Sequence, residues 1–253
     1  MNFAAKPGHT VQACGPETTR ASREKIVGII GGMGPEATVD LMNRVIKATS
    51  ARDDIDHIRM LVDNNPKVPS RIRALIEKNG ESPLECLQDM ARRLEGWGAD
   101  FLAIPCNTAH YYHRDVQKAV HIPLLDMIDL SVNFMTARNP NLKTVALLAS
   151  SAVFDLGLYD KRFADAEVEL IAMHPDDQDK VMSAIHKIKT SSYGPEVVLI
   201  IQEVANKLAQ QGAQAILVAC TEISIIGGQI TPVVQIFDAS QILAEAIVKE
   251  AKS

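Results

Sequence analysis

Two segments far apart in this chain, "ADFLAIPC" at 99–106 and "AQAILVAC" at 213–220, share a pattern that any fold must satisfy twice. Each follows a helix-like run that stops at a glycine, continues as a short apolar run and ends on a cysteine. Leu94, Gly98, Ala99 and Cys106 align without a gap with Leu208, Gly212, Ala213 and Cys220, each pair 114 residues apart. Further on, Pro123 and Asp129 align with Pro232 and Asp238, each pair 109 apart. The match points to an internal duplication: two similar lobes, each delivering one cysteine to the carboxyl end of a strand. Open parallel sheets bind ligands at that edge, so facing lobes would set the two thiols on opposite walls of one cleft.

The remaining pattern fits this frame. "KIVGIIGG" (25–32), "HIRMLVDNN" (57–65), "ADFLAIP" (99–105), "KTVALLAS" (143–150) and "AQAILVA" (213–219) read as strands. Helical spacing covers 35–50, 83–98, 176–189, 195–212 and 240–251. Short apolar runs separated by helices indicate parallel strands covered on both faces. The expected class is therefore α/β: two pseudo-symmetric lobes, each a mostly parallel sheet flanked by helices, with the active site in the cleft between them. The expected division is a polar tail over 1–24, a first lobe from 25–128 plus 239–253, and a second lobe over 129–238.

Composition narrows the function classes. Hydrophobic residues make up 47% of the 253, and 26 basic against 31 acidic residues leave a net charge of −5, well mixed along the chain. This is not the basic footprint of a nucleic-acid binder. No apolar run reaches the roughly 20 residues of a membrane helix. The N-terminal stretch lacks the apolar core of an export signal, so the expected compartment is the reducing cytoplasm, where the thiols of Cys14, Cys86, Cys106 and Cys220 stay free. None of the four has C-x-x-C spacing, and His110 and His113 lack a third ligand, so no metal site is expected.

A symmetric pair of thiols suits a symmetric reaction. Inverting a stereocentre beside a carboxylate takes a base on one face and an acid on the other, exchanging roles with the hand of the substrate. A cysteine ordinarily titrates near pH 8.5 and can serve as either, and a helix starting just after each one would favour the thiolate. The carbanion's charge must be spread onto the carboxylate and held by donors. Asn107, Thr108 and Thr221 lie beside the cysteines, Met33 and Gly34 in the glycine turn "GGMGPEAT" (31–38), and Ser150 and Ser151 at the corresponding place in the second half. The glycines at 28, 31, 32 and 34 fit neither a dinucleotide fingerprint nor a phosphate loop.

With these motifs the chain resembles the cofactor-independent aspartate/glutamate racemases, and within them the aspartate racemase branch. "GGMGPEAT", "NNPKVPSR" (64–71), "PCNTAH" (105–110) and "CTEIS" (220–224) fall in that branch's order, over about residues 25–250. The resemblance implies no pyridoxal phosphate and no metal, a homodimer, an acidic amino acid as substrate, and Cys106 and Cys220 as the two bases. It also implies that Asn65 and Arg71 meet the substrate, Arg71 through its side-chain carboxylate. A lysine is expected near the distal carboxylate. A gap-free match puts Asp179 at that place, and Lys180 stands one residue later. The alternatives are another enzyme of the superfamily (a hydantoin racemase, maleate isomerase or decarboxylase), a dicarboxylate-binding protein, and a cysteine hydrolase with His110 as base.

Overall fold

The computed structural model describes residues 24–231 and 233–253. The expected tail, apart from Glu24, and Pro232 lie outside them. The first half runs β1 (Val27–Gly31), α1 (Pro35–Ala48), β2 (Met60–Asn64), α2 (Arg71–Leu75), α3 (Leu84–Gly96), β3 (Phe101–Ala103) and α4 (His113–Gln117). The second runs α5 (Met127–Arg138), β4 (Thr144–Leu148), α6 (Ser151–Asp155), α7 (Asp160–Asp165), β5 (Glu169–Ile171), α8 (Pro175–Lys189), α9 (Pro195–Gln210), β6 (Ala215–Val218), α10 (Thr221–Ile226), β7 (Gln235–Asp238) and α11 (Ala239–Ala251).

The two sheets are parallel and share one topology. The first has order β2-β1-β3, extended by a parallel bridge from Leu102 to Leu124; the second has order β5-β4-β6-β7. Strand β3 stops earlier than expected because Pro105 has no N–H to give the ladder. The duplication extends to the helix ends. Helix α3 closes with Gly98 at φ +97° and α9 with Gly212 at φ +101°. In each, the glycine N–H bonds the carbonyl three residues back (Glu95, Ala209), and the next alanine N–H bonds the carbonyl five back (Leu94, Leu208). This left-handed termination turns the chain directly into the strand. Any side chain would strain that backbone.

The downstream register needs correction. Leu102 pairs with Leu124 and its counterpart Ile216 pairs with Ile236, so the second strand of each pair is offset by 112 residues rather than 109. The matching carboxylates are Asp126 and Asp238, not Asp129 and Asp238. Asp126 accepts from the N–H groups of Ile128 and Asp129 and caps α5; Asp238 accepts from Ser240 and Gln241 and caps α11. Asp129 falls within the first turn of α5, too late to cap it.

Helices α5 and α11 fill the space between the sheets. Met127, Val132 and Met135 of α5 and Leu243 and Ile247 of α11 join Val27, Ile29 and Leu41 on one side to Val145, Leu147 and Phe163 on the other in one buried cluster. Helix α11 packs on α1 and α5, and the Lys25 N–H bonds the Ala251 carbonyl. Each capping aspartate is also paired with an arginine from the far side. Asp126 Oδ2 lies 2.9 Å from Arg162 Nη2 of α7, and Asp238 Oδ2 lies 3.2 Å from Arg44 Nη1 of α1. Arg44 further donates to the Ser224 carbonyl at 2.6 Å. Burial raises the Asp238 carboxyl above its ordinary range even against the attraction of Arg44.

Removing Arg44 leaves that carboxylate buried without its cation. Arg44→Met is expected to lower unfolding free energy by about 3 kcal/mol, whereas Arg93→Ala, which breaks an exposed pair with Asp89, is expected to change it by less than about 0.5 kcal/mol. Urea denaturation of both variants measures the contrast.

Candidate active site

Both cysteines line one small cavity, of about 40 Å³, at the carboxyl edges of the two sheets. Cys106 follows β3 through Ile104 and Pro105, and Cys220 sits between β6 and α10. Both are buried, at 7% and 6% exposure, so a proton held on either sulfur is shielded from bulk water.

The walls combine both lobes. Met33, Arg71, Asn107 and Thr108 come from the first and Ser150, Lys189, Thr221 and Glu222 from the second. Thr108 Oγ1 and Ser150 Oγ approach to 3.4 Å across the boundary. Three buried polar atoms on this wall have no hydrogen-bond partner: Arg71 Nε, Asn107 Nδ2 and Glu222 Oε1. Unpaired buried polar groups are costly, and the two N–H donors with one carboxylate oxygen are complementary to a ligand carrying both a carboxylate and an ammonium. Arg71 opens α2, whose first turn is capped by Ser70, and its Nη1 is anchored on the carbonyls of Val68 (3.3 Å) and Pro69 (2.9 Å). The guanidinium is thus held at the wall.

The thiols are not equivalent. Cys220 Sγ donates to Glu222 Oε2 at 3.1 Å, and Glu222 Oε1 lies 3.6 Å from Lys189 Nζ. Burial lifts the Cys220 thiol well above its ordinary value, Glu222 adds to the rise and Lys189 opposes it. A helix start favouring the thiolate at Cys220 was the expectation. The helix is there but spans only six residues, and desolvation together with the adjacent carboxylate outweighs it. Burial works against the charge on Lys189, but Glu222, then Cys220 and Cys106, raise its proton affinity overall. Two residues beyond Cys106 stands Thr108 where Cys220 has Glu222.

Other expected residues fall outside the cavity wall. Lys180 is the clearest correction: its Nζ lies 3.1 Å from Glu203 and 3.4 Å from Asp177, on the outer face between α8 and α9. Lys189, the last residue of α8, occupies the site instead. They are nine helical steps apart, about 13.5 Å of rise and half a turn of azimuth. Lys189 follows Ile185 by four along the buried stripe Val181, Ile185, Ile188, the signal that could have found it. Asn65 is a support: its Oδ1 accepts from Lys67 N–H and its Nδ2 faces Cys86 Sγ at 3.5 Å. Its backbone packs so closely on Gly32 that a Cβ there would lie 2.2 Å from the Asn65 carbonyl oxygen. Gly34 caps α1 just behind Glu222, and the Ser151 N–H contacts Met182 Sδ at 3.3 Å.

His110 is not a base for Cys106. Its Nε2 accepts from Met127 N–H at 3.0 Å, so Nδ1 carries the proton and donates to the Cys106 carbonyl at 2.9 Å. It ties the cysteine loop to the start of α5, and the hydrolase reading loses its base. Ser224 takes the same place in the second lobe, four residues after Cys220, with its Oγ donating to Asp238 at 2.8 Å. Among the described residues, no group of three or more His, Cys, Asp or Glu could hold a metal ion.

A family model described as Asp/Glu/Hydantoin racemase matches residues 30–247. The chain belongs to this family. It is 34% identical to an aspartate racemase from Picrophilus torridus, with a TM-score of 0.78 over 90% of this chain and 94% of that one. Among curated proteins it is 28% identical over 228 residues to the broad specificity amino-acid racemase RacX of Bacillus subtilis (strain 168), covering 88% of this chain and 96% of the relative. A glutamate racemase from Francisella tularensis, solved with D-glutamate, shares the fold at 21% identity and a TM-score of 0.62, over 90% of this chain and 80% of that one. The fold shared with these racemases is the one described above, two parallel sheets flanked by helices.

Two titrations follow from the geometry. In a Cys106→Ala background, Glu222→Gln is expected to lower the proton affinity of Cys220, read from thiolate absorbance against pH. Burial lowers that of His110, outweighing the pull of Asp126. Its folded value therefore lies below the unfolded one near pH 6.5. The stability it contributes is full above about pH 6.5 and is lost as pH falls through the window below. His110→Asn is expected to be less stable at neutral pH and to show a shallower acid-side loss in denaturant melts.

Proposed function

We propose that this protein racemises aspartate without pyridoxal phosphate, with Cys106 and Cys220 acting on opposite faces of Cα. The observation that carries the reading is the pair of duplicated thiols in one cavity whose unpartnered polar atoms match an amino acid. In one direction a thiolate takes the Cα proton, the electron pair passes into the α-carboxylate, and the other thiol returns a proton to the opposite face. In the reverse direction the roles exchange. The negative charge that develops on the α-carboxylate needs a donor, which the unpartnered Asn107 Nδ2 supplies.

Aspartate has two carboxylates, and the wall offers two cations, Arg71 and Lys189. We assign the side-chain carboxylate to Arg71, as the family resemblance implies, with Lys189 beside it in place of Lys180. Glu222 Oε1, which makes no hydrogen bond though it lies 3.6 Å from Lys189 Nζ, is assigned to the substrate ammonium. The likeness to an aspartate racemase favours aspartate over longer acidic side chains. The likeness to a broad specificity racemase supports a second reading with a wider amino-acid range. The substrate cleft lies between the lobe of 25–128 with 239–253 and the lobe of 129–238. We read the protein as a homodimer acting in the cytoplasm, on the resemblance and on the free thiols of Cys86, Cys106 and Cys220. No helix of the described residues is long and apolar enough to cross a membrane.

Proton NMR of L-aspartate in D₂O with chiral analysis, followed by a panel of amino acids, tests the reading. Loss of the Cα–H signal with appearance of the D-isomer is expected, slowed about 10³-fold in either Cys106→Ala or Cys220→Ala. No exchange across the panel overturns it. Lys189→Ala is expected to raise the KM for aspartate at least about tenfold, and Lys180→Ala to leave it unchanged.

A further inference from the structure

We propose that Tyr159 is a positioning residue: it fixes the Asn107 amide with its nitrogen toward the cavity, so that one lobe orients the carboxylate donor carried by the other. The inference rests on the racemase reading above and names a residue that reading does not use.

A primary amide has an accepting end and a donating end, and half a turn about its last side-chain bond exchanges them. At the wall of a cavity for anions the two orientations have opposite effects. The oxygen of Asn107 is taken: the Tyr159 hydroxyl donates to Oδ1 at 2.6 Å. That separation fits an O–H···O bond and is short for N–H···O. Asn107 itself is 3% exposed, lines the cavity, and its Nδ2 has no protein partner. The amide is thus locked with its donor unspent on the ligand side.

Tyr159 comes from the second lobe, at the turn into α7, whereas Asn107 follows Cys106 in the first. The ring is fully buried in the cluster between the sheets and stacks on Phe163 with centroids 6.0 Å apart. Packing holds the hydroxyl in place, and burial pushes its ionisation to higher pH, so that it remains a donor. Asn107 therefore faces the ligand correctly only while the lobes are docked. When the Cα–H bond breaks and its proton moves to the thiolate sulfur, the electron pair charges the carboxylate oxygens. A donor pre-aimed at those oxygens acts more strongly on the transition state than on the bound substrate.

The test is a double-mutant cycle of wild type, Tyr159→Phe, Asn107→Ala and the double variant. Phenylalanine keeps the ring packing and removes only the hydroxyl. For Cα–H exchange of L-aspartate in D₂O, Tyr159→Phe is expected to lower kcat about 10- to 100-fold with KM changed less than about threefold, and to add nothing in the Asn107→Ala background. Calorimetric binding of succinate provides a readout without turnover: about two- to threefold weaker in Tyr159→Phe than in wild type, with no further loss in the double variant. Effects that multiply across the cycle overturn the proposal, as does a lower melting temperature with kcat, KM and succinate affinity retained. If wild type exchanges no amino acid, the racemase reading fails, and the succinate cycle still decides the role of Tyr159.

Discussion

Each helix that crosses between the sheets begins at an aspartate whose charge is met from the other lobe. Asp126 caps α5 and pairs with Arg162, and Asp238 caps α11 and pairs with Arg44. A carboxylate so largely withdrawn from water is stable only with a cation and donors around it, so these two ion pairs constrain how the sheets can dock. The cysteine loops are wired to the same points. His110 joins the Cys106 carbonyl to the first N–H of α5, and Ser224 joins α10 to Asp238. The position of each sulfur is therefore referred to the lobe interface rather than to its own strand alone.

Within that frame the cavity departs from two-fold likeness where the chemistry is. The strands, glycine terminations and capping aspartates repeat. The residues two beyond the cysteines do not: a carboxylate touches Cys220, while a hydroxyl beside Cys106 faces Ser150. Arg71 and Lys189 likewise come one from each lobe without being counterparts. Duplication supplied the pair of thiols, and divergence of a few side chains made the two walls of the cavity unlike.

The duplicated frame was legible in the sequence because it rests on local requirements. A left-handed helix end favours glycine, and the apolar runs between Gly98 and Cys106 and between Gly212 and Cys220 have little else to become but buried strand. What escaped depends on a helix's start or azimuth. The capping residue is decided by where α5 begins, which moved the match from Asp129 to Asp126. A gap-free alignment falls on Asp179 with Lys180 beside it, yet the turn of α8 sends Lys180 outward and brings Lys189 in. The raised proton affinity of Cys220 comes from burial and from the carboxylate of Glu222 folding back on it, and neither can be read from the order of residues. Asn65 sits in the right motif but supports the turn at Gly32 from behind.

The pairing of Glu222 with Cys220 alone has a consequence that equilibrium thermodynamics limits. Mirror-image substrates have equal free energies in water, so a racemase must show the same kcat/KM for both hands, however unlike its two half-sites are. A carboxylate on one thiol cannot favour either enantiomer in that ratio. It can only divide the ratio differently, with one hand held more tightly and turned over more slowly in proportion. The asymmetry of the cavity is thus invisible at trace substrate and becomes a preference in rate only as the site fills.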